Sequence, residues 1–135
     1  MGLSVSFLGG GSFGTALSIM LAKKGIEVNL WDRKNSIVQD INERRENIKY
    51  LHKVLIPNNV KASINAEQVI KESGILVLAV PSQAVREVCK NFKQFISKDQ
   101  IIVNIAKGIE EKTGKRLSEV IEEELPENKV VVLSG

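Results

Sequence analysis

Short apolar strands alternate with amphipathic helices along this chain, a glycine-rich turn joins the first strand to the first helix, and an acid closes the second strand. Together these three features predict an α/β protein of the Rossmann-type doubly wound class, a mostly parallel sheet with helices on both faces. The length of 135 residues fits one domain with its own core, assigned to residues 1–135. A hydrophobic share of 43% beside 26% charged residues, with no apolar run long enough for a membrane span, excludes a membrane-embedded chain. The single cysteine forms no internal bridge and the start at Met1 carries no signal-peptide pattern, so a cytoplasmic location is expected. The net charge of +3 is spread along the chain, with no run of Lys or Arg longer than two, which argues against nucleic acid as a partner.

Residues 4–8, Ser-Val-Ser-Phe-Leu, form a short buried strand halted by three glycines, after which Phe13, Leu17, Met20 and Leu21 recur at helical spacing. Gly25 ends that helix, and residues 27–31 make a second strand, closing a βαβ unit of about 30 residues. A helix over residues 36–45 with Ile37 and Ile41 on one face follows, then an irregular stretch through Pro57. Loops of that length in a compact domain are commonly functional or disordered. A strand near residues 60–62 precedes a helix capped by Asn65, and residues 75–79 form an entirely apolar strand that needs cover on both faces. Pro81 and Ser82 open a helix with Val85, Val88, Cys89 and Phe92 as its apolar stripe, followed by a strand at residues 101–105. Mid-helix on that stripe, Cys89 reads as core and not as a nucleophile. The last helix buries Leu117, Val120, Ile121 and Leu125 and leads into a strand at residues 129–133. Its charges oppose the helix dipole, with Lys115 and Arg116 at the start and Glu122 to Glu124 at the end, an order that the sequence leaves unexplained.

In such a sheet the turns after Leu8, Trp31, Ala79 and Ile105 should converge on one crevice at the carboxyl ends of the strands. Gly9-Gly10-Gly11-Ser12-Phe13-Gly14 satisfies G-x-G-x-x-G: Gly9 allows the tight turn, Gly11 lets the backbone approach a pyrophosphate, and Gly14 permits close packing of helix on strand. Amides at the helix start, around Ser12 and Phe13, then face the anion. A glycine-rich turn without ligand and a methyltransferase-type loop are the alternatives to a dinucleotide site. Asp32 falls 18 positions after Gly14, near the spacing at which an acid meets the ribose 2′-hydroxyl of NAD. Arg33 beside it could grip a 2′-phosphate or stack on adenine, so NAD and NADP both stay open. Lys107 follows a crevice-facing strand, where a cation could hold an anionic substrate or order the nicotinamide pocket, or simply be a surface lysine. Tyr50 in the long loop could close over the cofactor or merely pack. His52 is the only histidine, no ligand set surrounds it, and no metal site is expected.

Five segments taken together carry a resemblance: Gly-Gly-Gly-Ser-Phe-Gly-Thr-Ala-Leu (9–17), Leu-Trp-Asp-Arg (30–33), Ala-Val-Pro-Ser-Gln-Ala-Val-Arg (79–86), Ala-Lys-Gly-Ile-Glu (106–110) and Leu-Ser-Gly (133–135). With these the chain resembles bacterial NAD(P)-dependent glycerol-3-phosphate dehydrogenases from end to end. The resemblance implies an oxidoreductase that interconverts dihydroxyacetone phosphate and sn-glycerol 3-phosphate by hydride transfer with NAD(P)H, in glycerophospholipid synthesis, and leaves a homodimeric parent open. It implies cofactor contacts at Ser12, Phe13, Arg33 and Tyr50, a shared cofactor and substrate contact at Lys107, and a substrate contact at Gly135. Phe13 stands where the family often carries tryptophan. The family continues into a helical substrate domain with the acid/base lysine, which would lie beyond residue 135. No catalytic residue is therefore expected within the chain, which alone should bind nucleotide weakly and turn over nothing. Two other readings stand beside this one: a stand-alone NAD(H)-sensing regulatory domain, and a dehydrogenase acting on a phosphorylated sugar acid.

Overall fold

A computed structural model of the chain describes residues 3–47 and 53–133. Its strands are β1 (Ser4–Leu8), β2 (Glu27–Trp31), β3 (Val60–Ser63), β4 (Ile75–Leu78), β5 (Ile101–Asn104) and β6 (Lys129–Val132). They form one sheet in the order β3-β2-β1-β4-β5-β6, every pair parallel. The expected doubly wound architecture is the observed one. Its helices are α1 (Ser12–Lys23), α2 (Asn35–Gln39), α3 (Ala66–Lys71), α4 (Val85–Phe92) and α5 (Leu117–Glu124).

The two-residue alternation of each strand divides the core into two layers. Val5, Phe7, Val28, Leu30 and Val77 face α1 and α2, where they meet Ile19, Ala22 and Ile37, and reach Ile41 just beyond α2. Leu8, Leu76, Leu78 and Ile102 face the other side, against Ile70 of α3, Val85, Val88 and Cys89 of α4, and Val120 and Ile121 of α5. A parallel sheet needs this double cover because both faces of its central strands are apolar.

The buried face of α1 differs from the apolar spacing in the sequence. Phe13 and Met20 are about half exposed, and the residues that go inside are Gly14, Thr15, Ser18, Ile19 and Ala22. Closeness at the start of α1 is the reason: a Cβ at Gly14 would lie 2.6 Å from the Cβ of Ala79, so the helix meets the sheet there through small residues, and Ile19 packs further along. The Ser18 hydroxyl is satisfied within the helix, donating to the Gly14 carbonyl at 2.8 Å.

The helix expected over residues 36–45 is broken into α2 and one π-helical turn, Asp40–Arg44, ended by Arg45 in the left-handed region at φ 57°. Arg45 then donates to the carbonyls of Ile56, Pro57 and Val60, tying the irregular stretch back to β3. Asn65 caps α3 as expected, its side chain accepting from the Gln68 amide at 3.1 Å. A short 3-10 turn, Ser82–Ala84, precedes α4. No helix among the described residues is long and apolar enough to cross a membrane.

Candidate functional site

β1 lies between β2 and β4, so the connections leaving β1 and β4 go to opposite faces of the sheet and part above their carboxyl ends. The turns after β1, β2, β4 and β5 converge there, as expected, on a cleft of about 560 Å³ lined by residues 9–14, 31–34, 79–81 and 105–106, with Val88, Asn91 and Phe92 of α4 as its side wall. That volume suits a cofactor-sized ligand. Trp31 and Phe92 meet edge to face, with centroids 4.9 Å apart, and the indole N–H donates to the Ile64 carbonyl at 3.1 Å.

Each glycine of the turn meets different surroundings. Gly9 sits at φ +115°, and a Cβ there would come within 2.6 Å of the Ala79 carbonyl oxygen. At Gly11 an added Cβ would touch only the Ala79 carbonyl oxygen, at an ordinary 3.6 Å. The protein itself leaves this position uncrowded. Gly11 is also the N-cap of α1 and supplies no side-chain cap. The first intrahelical bond runs from Thr15 N to Gly11 O at 2.9 Å, and the amides of residues 12–14 precede it.

Asp32 is nearly buried, and each of its oxygens accepts a backbone amide: Oδ2 from Gly10 at 3.0 Å and Oδ1 from Lys34 at 2.9 Å. The spacing that suggested a ribose ligand thus marks a carboxylate that first joins the two turns of the site. Arg33 is exposed at the rim with Lys34 beside it.

A buried polar triangle behind the turn has no counterpart in the sequence reading. Asn47 Nδ2 donates to the Gly10 carbonyl at 2.7 Å and to Thr15 Oγ1 at 3.0 Å, and both side chains are 1% exposed. No local pattern announces it, because Asn47 stands alone in the irregular stretch, 37 residues from Gly10.

The Pro-Ser-Gln and Lys-Gly-Ile-Glu segments prove to be two halves of one clamp. Gln83 Nε2 donates to the Ile109 carbonyl at 3.0 Å while its Oε1 accepts the Glu111 amide at 3.0 Å. Arg86 grips Glu110 with two bonds of 2.7 and 2.9 Å, and Thr113 adds a hydroxyl at 2.8 Å. On the other side of Lys107, Asn104 Oδ1 accepts the Ala106 amide at 3.1 Å. Lys107 and Gly108 therefore span a short distance between fixed ends, and exposed Lys107 stands one residue beyond the cleft lining.

Arg86 also meets Glu123 and Glu124, at 2.9 and 2.7 Å, and Lys115 pairs with Glu123. These cations account for Glu123 and Glu124 at the end of α5, which the dipole argument left unexplained. Hydrogen bonding by Arg86, then by Thr113, holds the Glu110 carboxyl down at about 2, while the three glutamates push the Arg86 guanidinium higher still.

Burial pushes the Cys89 thiol up to about 12, in keeping with a core residue. Among the described residues no group of His, Cys, Asp and Glu is placed to hold a metal. Tyr50, His52 and Gly135 lie outside the described residues. The structure thus brings Gly9, Gly11, Ser12, Phe13, Gly14 and Arg33 to one cleft and sets Lys107 just past its edge.

A family profile described as NAD-dependent glycerol-3-phosphate dehydrogenase N-terminus matches residues 4–135. Among relatives, a glycerol-3-phosphate dehydrogenase [NAD(P)+] from Clostridium acetobutylicum is 60% identical over 131 residues, covering 97% of this chain and 40% of that protein. Its counterpart from Clostridium tetani is 56% identical, over 97% of this chain and 38% of its own length. Among solved structures, glycerol-3-phosphate dehydrogenase from Coxiella burnetii superposes with a TM-score of 0.88 at 29% identity, over 98% of this chain and 40% of that one. The chain spans about 40% of the length of the proteins it matches.

Proposed function

The chain belongs to the NAD-dependent glycerol-3-phosphate dehydrogenase family through its nucleotide-binding part, and from that premise we propose that it is the NAD(P)(H)-binding domain of a cytoplasmic sn-glycerol-3-phosphate dehydrogenase. The parent enzyme interconverts dihydroxyacetone phosphate and sn-glycerol 3-phosphate for glycerophospholipid synthesis, with its acid/base lysine in a helical domain beyond residue 135. The observation that carries this reading is the cradle at Gly11, which a side chain would fill although nothing in the protein itself requires it to stay empty.

In this reading Gly9, Gly11 and Gly14 shape the turn, and the amides around Ser12 and Phe13 bind the pyrophosphate at the positive end of α1. When bound, the nicotinamide supplies or takes up the hydride. The chain's own residues bind and orient: Arg33 at the adenine ribose end, Tyr50 from the long loop, Lys107 between cofactor and substrate, and Gly135 at the substrate. Both Asp32 oxygens already accept backbone amides, and Arg33 beside it offers a planar guanidinium to a 2′-phosphate. Val131, Val132 and Leu133 at the sheet edge stay exposed, surface of the kind that a second domain covers.

The test is a calorimetric titration of the 135-residue chain with NADH and NADPH, alongside Arg33→Ala. Both nucleotides should bind in the micromolar to millimolar range, and Arg33→Ala should weaken NADPH about tenfold, the equivalent of ~1.4 kcal/mol, while sparing NADH. Equal loss of both nucleotides in Arg33→Ala would overturn the assignment of Arg33, and hydride transfer with glycerol 3-phosphate by the isolated chain would overturn the division of labour.

A further inference from the structure

Three consecutive glycines make the most pliable backbone a chain can have, yet a pyrophosphate site requires amides already aimed at the anion. We propose that Asn47, working with Thr15 and Asp32, is a positioning residue that pre-sets the glycine turn for a dinucleotide pyrophosphate. The inference rests on the dinucleotide reading above and adds to it the device that orients the turn.

The argument starts at Gly10, whose two backbone groups are both held by side chains from other elements. Its amide donates to Asp32 Oδ2 at 3.0 Å, and its carbonyl accepts from Asn47 Nδ2 at 2.7 Å and from the Thr15 hydroxyl at 3.3 Å. A trans peptide is planar, with carbonyl oxygen and the next N–H on opposite sides. Holding the Gly10 oxygen inward, against fully buried Asn47 and Thr15, turns the Gly11 N–H outward, to the side where residues 9–14 line the cleft. Three anchors from three segments thus fix the two peptide units that flank Gly10, whose own sequence gives them no preference.

The state of the Asn47 side chain supports a role beyond packing. Its Nδ2 faces two acceptors, which settles the orientation of the amide, and its Oδ1 is buried with no hydrogen-bond partner among the described residues. A leucine would fill the same space without stranding a polar atom. What only asparagine supplies there is the donor pair to Gly10 and Thr15.

Asn47→Leu and Asn47→Ala in the 135-residue chain test the proposal by calorimetric titration with NADH and, as a probe lacking any phosphate, adenosine. We expect Asn47→Leu to melt at or above the wild-type temperature, to bind adenosine unchanged, and to lose about tenfold or more in NADH affinity. Amide exchange at Gly10 and Gly11, followed by NMR without ligand, should quicken in both variants. Unchanged NADH affinity would overturn the proposal, as would a parallel fall of melting temperature, adenosine and NADH binding, which would make Asn47 a purely structural residue. If the wild-type chain bound no NADH, the dinucleotide reading would fail, and amide exchange alone would decide: faster exchange at Gly10 and Gly11 in the variants supports a pre-set turn, and unchanged exchange refutes it.

Discussion

Replacing the three signature glycines one at a time by alanine should separate the fold from the ligand. At Gly9 the φ of +115° makes any side chain strained, and the new Cβ would meet a backbone carbonyl at 2.6 Å. Strain of ~1–3 kcal/mol and overpacking of another ~1–3 kcal/mol predict a loss of roughly 2–6 kcal/mol. Against roughly 7–20 kcal/mol for a domain of this size, that is a large fraction of the total. Gly14→Ala collides with the Ala79 Cβ but gains helix propensity, and the balance of ~1–3 against ~1 kcal/mol predicts a loss of about 0–2 kcal/mol. Gly11→Ala makes one ordinary contact at φ −71° and should stay within about 0.5 kcal/mol of wild type, yet lose tenfold or more in NADH affinity because the methyl group occupies the approach to the pyrophosphate. Urea unfolding gives the stabilities. Quenching of Trp31, the one tryptophan, on the cleft wall, gives the affinities. A Gly11→Ala chain as unstable as Gly9→Ala, or one that kept wild-type affinity, would refute the assignment of Gly11 to the ligand.

The remaining predictions concern the clamp, the core thiol and a helix cap. Glu110 is held at about 2 in the fold against an ordinary value of 4.5, so its contribution to stability is present above pH 4.5 and disappears as the pH falls from there through 2. Urea midpoints measured across that window should show a shallower acid loss in Arg86→Met than in wild type, and parallel slopes would show that Arg86 is not the cause. Cys89, buried and with its thiol raised to about 12, should resist a disulfide exchange reagent at pH 8 and react at the rate of unfolding; rapid reaction in the native state would place it at the surface. Asn65→Ala should cost about 0.5–2 kcal/mol by urea unfolding, through loss of the bond to the Gln68 amide, and leave nucleotide binding unchanged.

The order of elements, the two-sided parallel sheet and the place of the cleft were legible in the sequence, because each of these is written in local periodicity and punctuation. Four continuous residues of β4 are apolar, Gly25 ends α1, Asn65 caps α3, and Leu117, Val120 and Ile121 share a face of α5. The glycine turn was equally legible, since its demand for missing side chains falls on neighbouring residues. Which face of α1 goes inside was not, because hydrophobicity ranked Phe13 and Met20 above Gly14 and Ser18, whereas the close approach to Ala79 admits only small groups. Nor were the ties that orient the site: Asn47 reaches Gly10 across 37 positions, Gln83 reaches Ile109 across 26 and Arg86 reaches Glu124 across 38. Contacts of this kind follow no period of two or 3.6 residues and exist only once the sheet has brought distant turns together, so the tertiary structure alone decided how the legible site is held in shape.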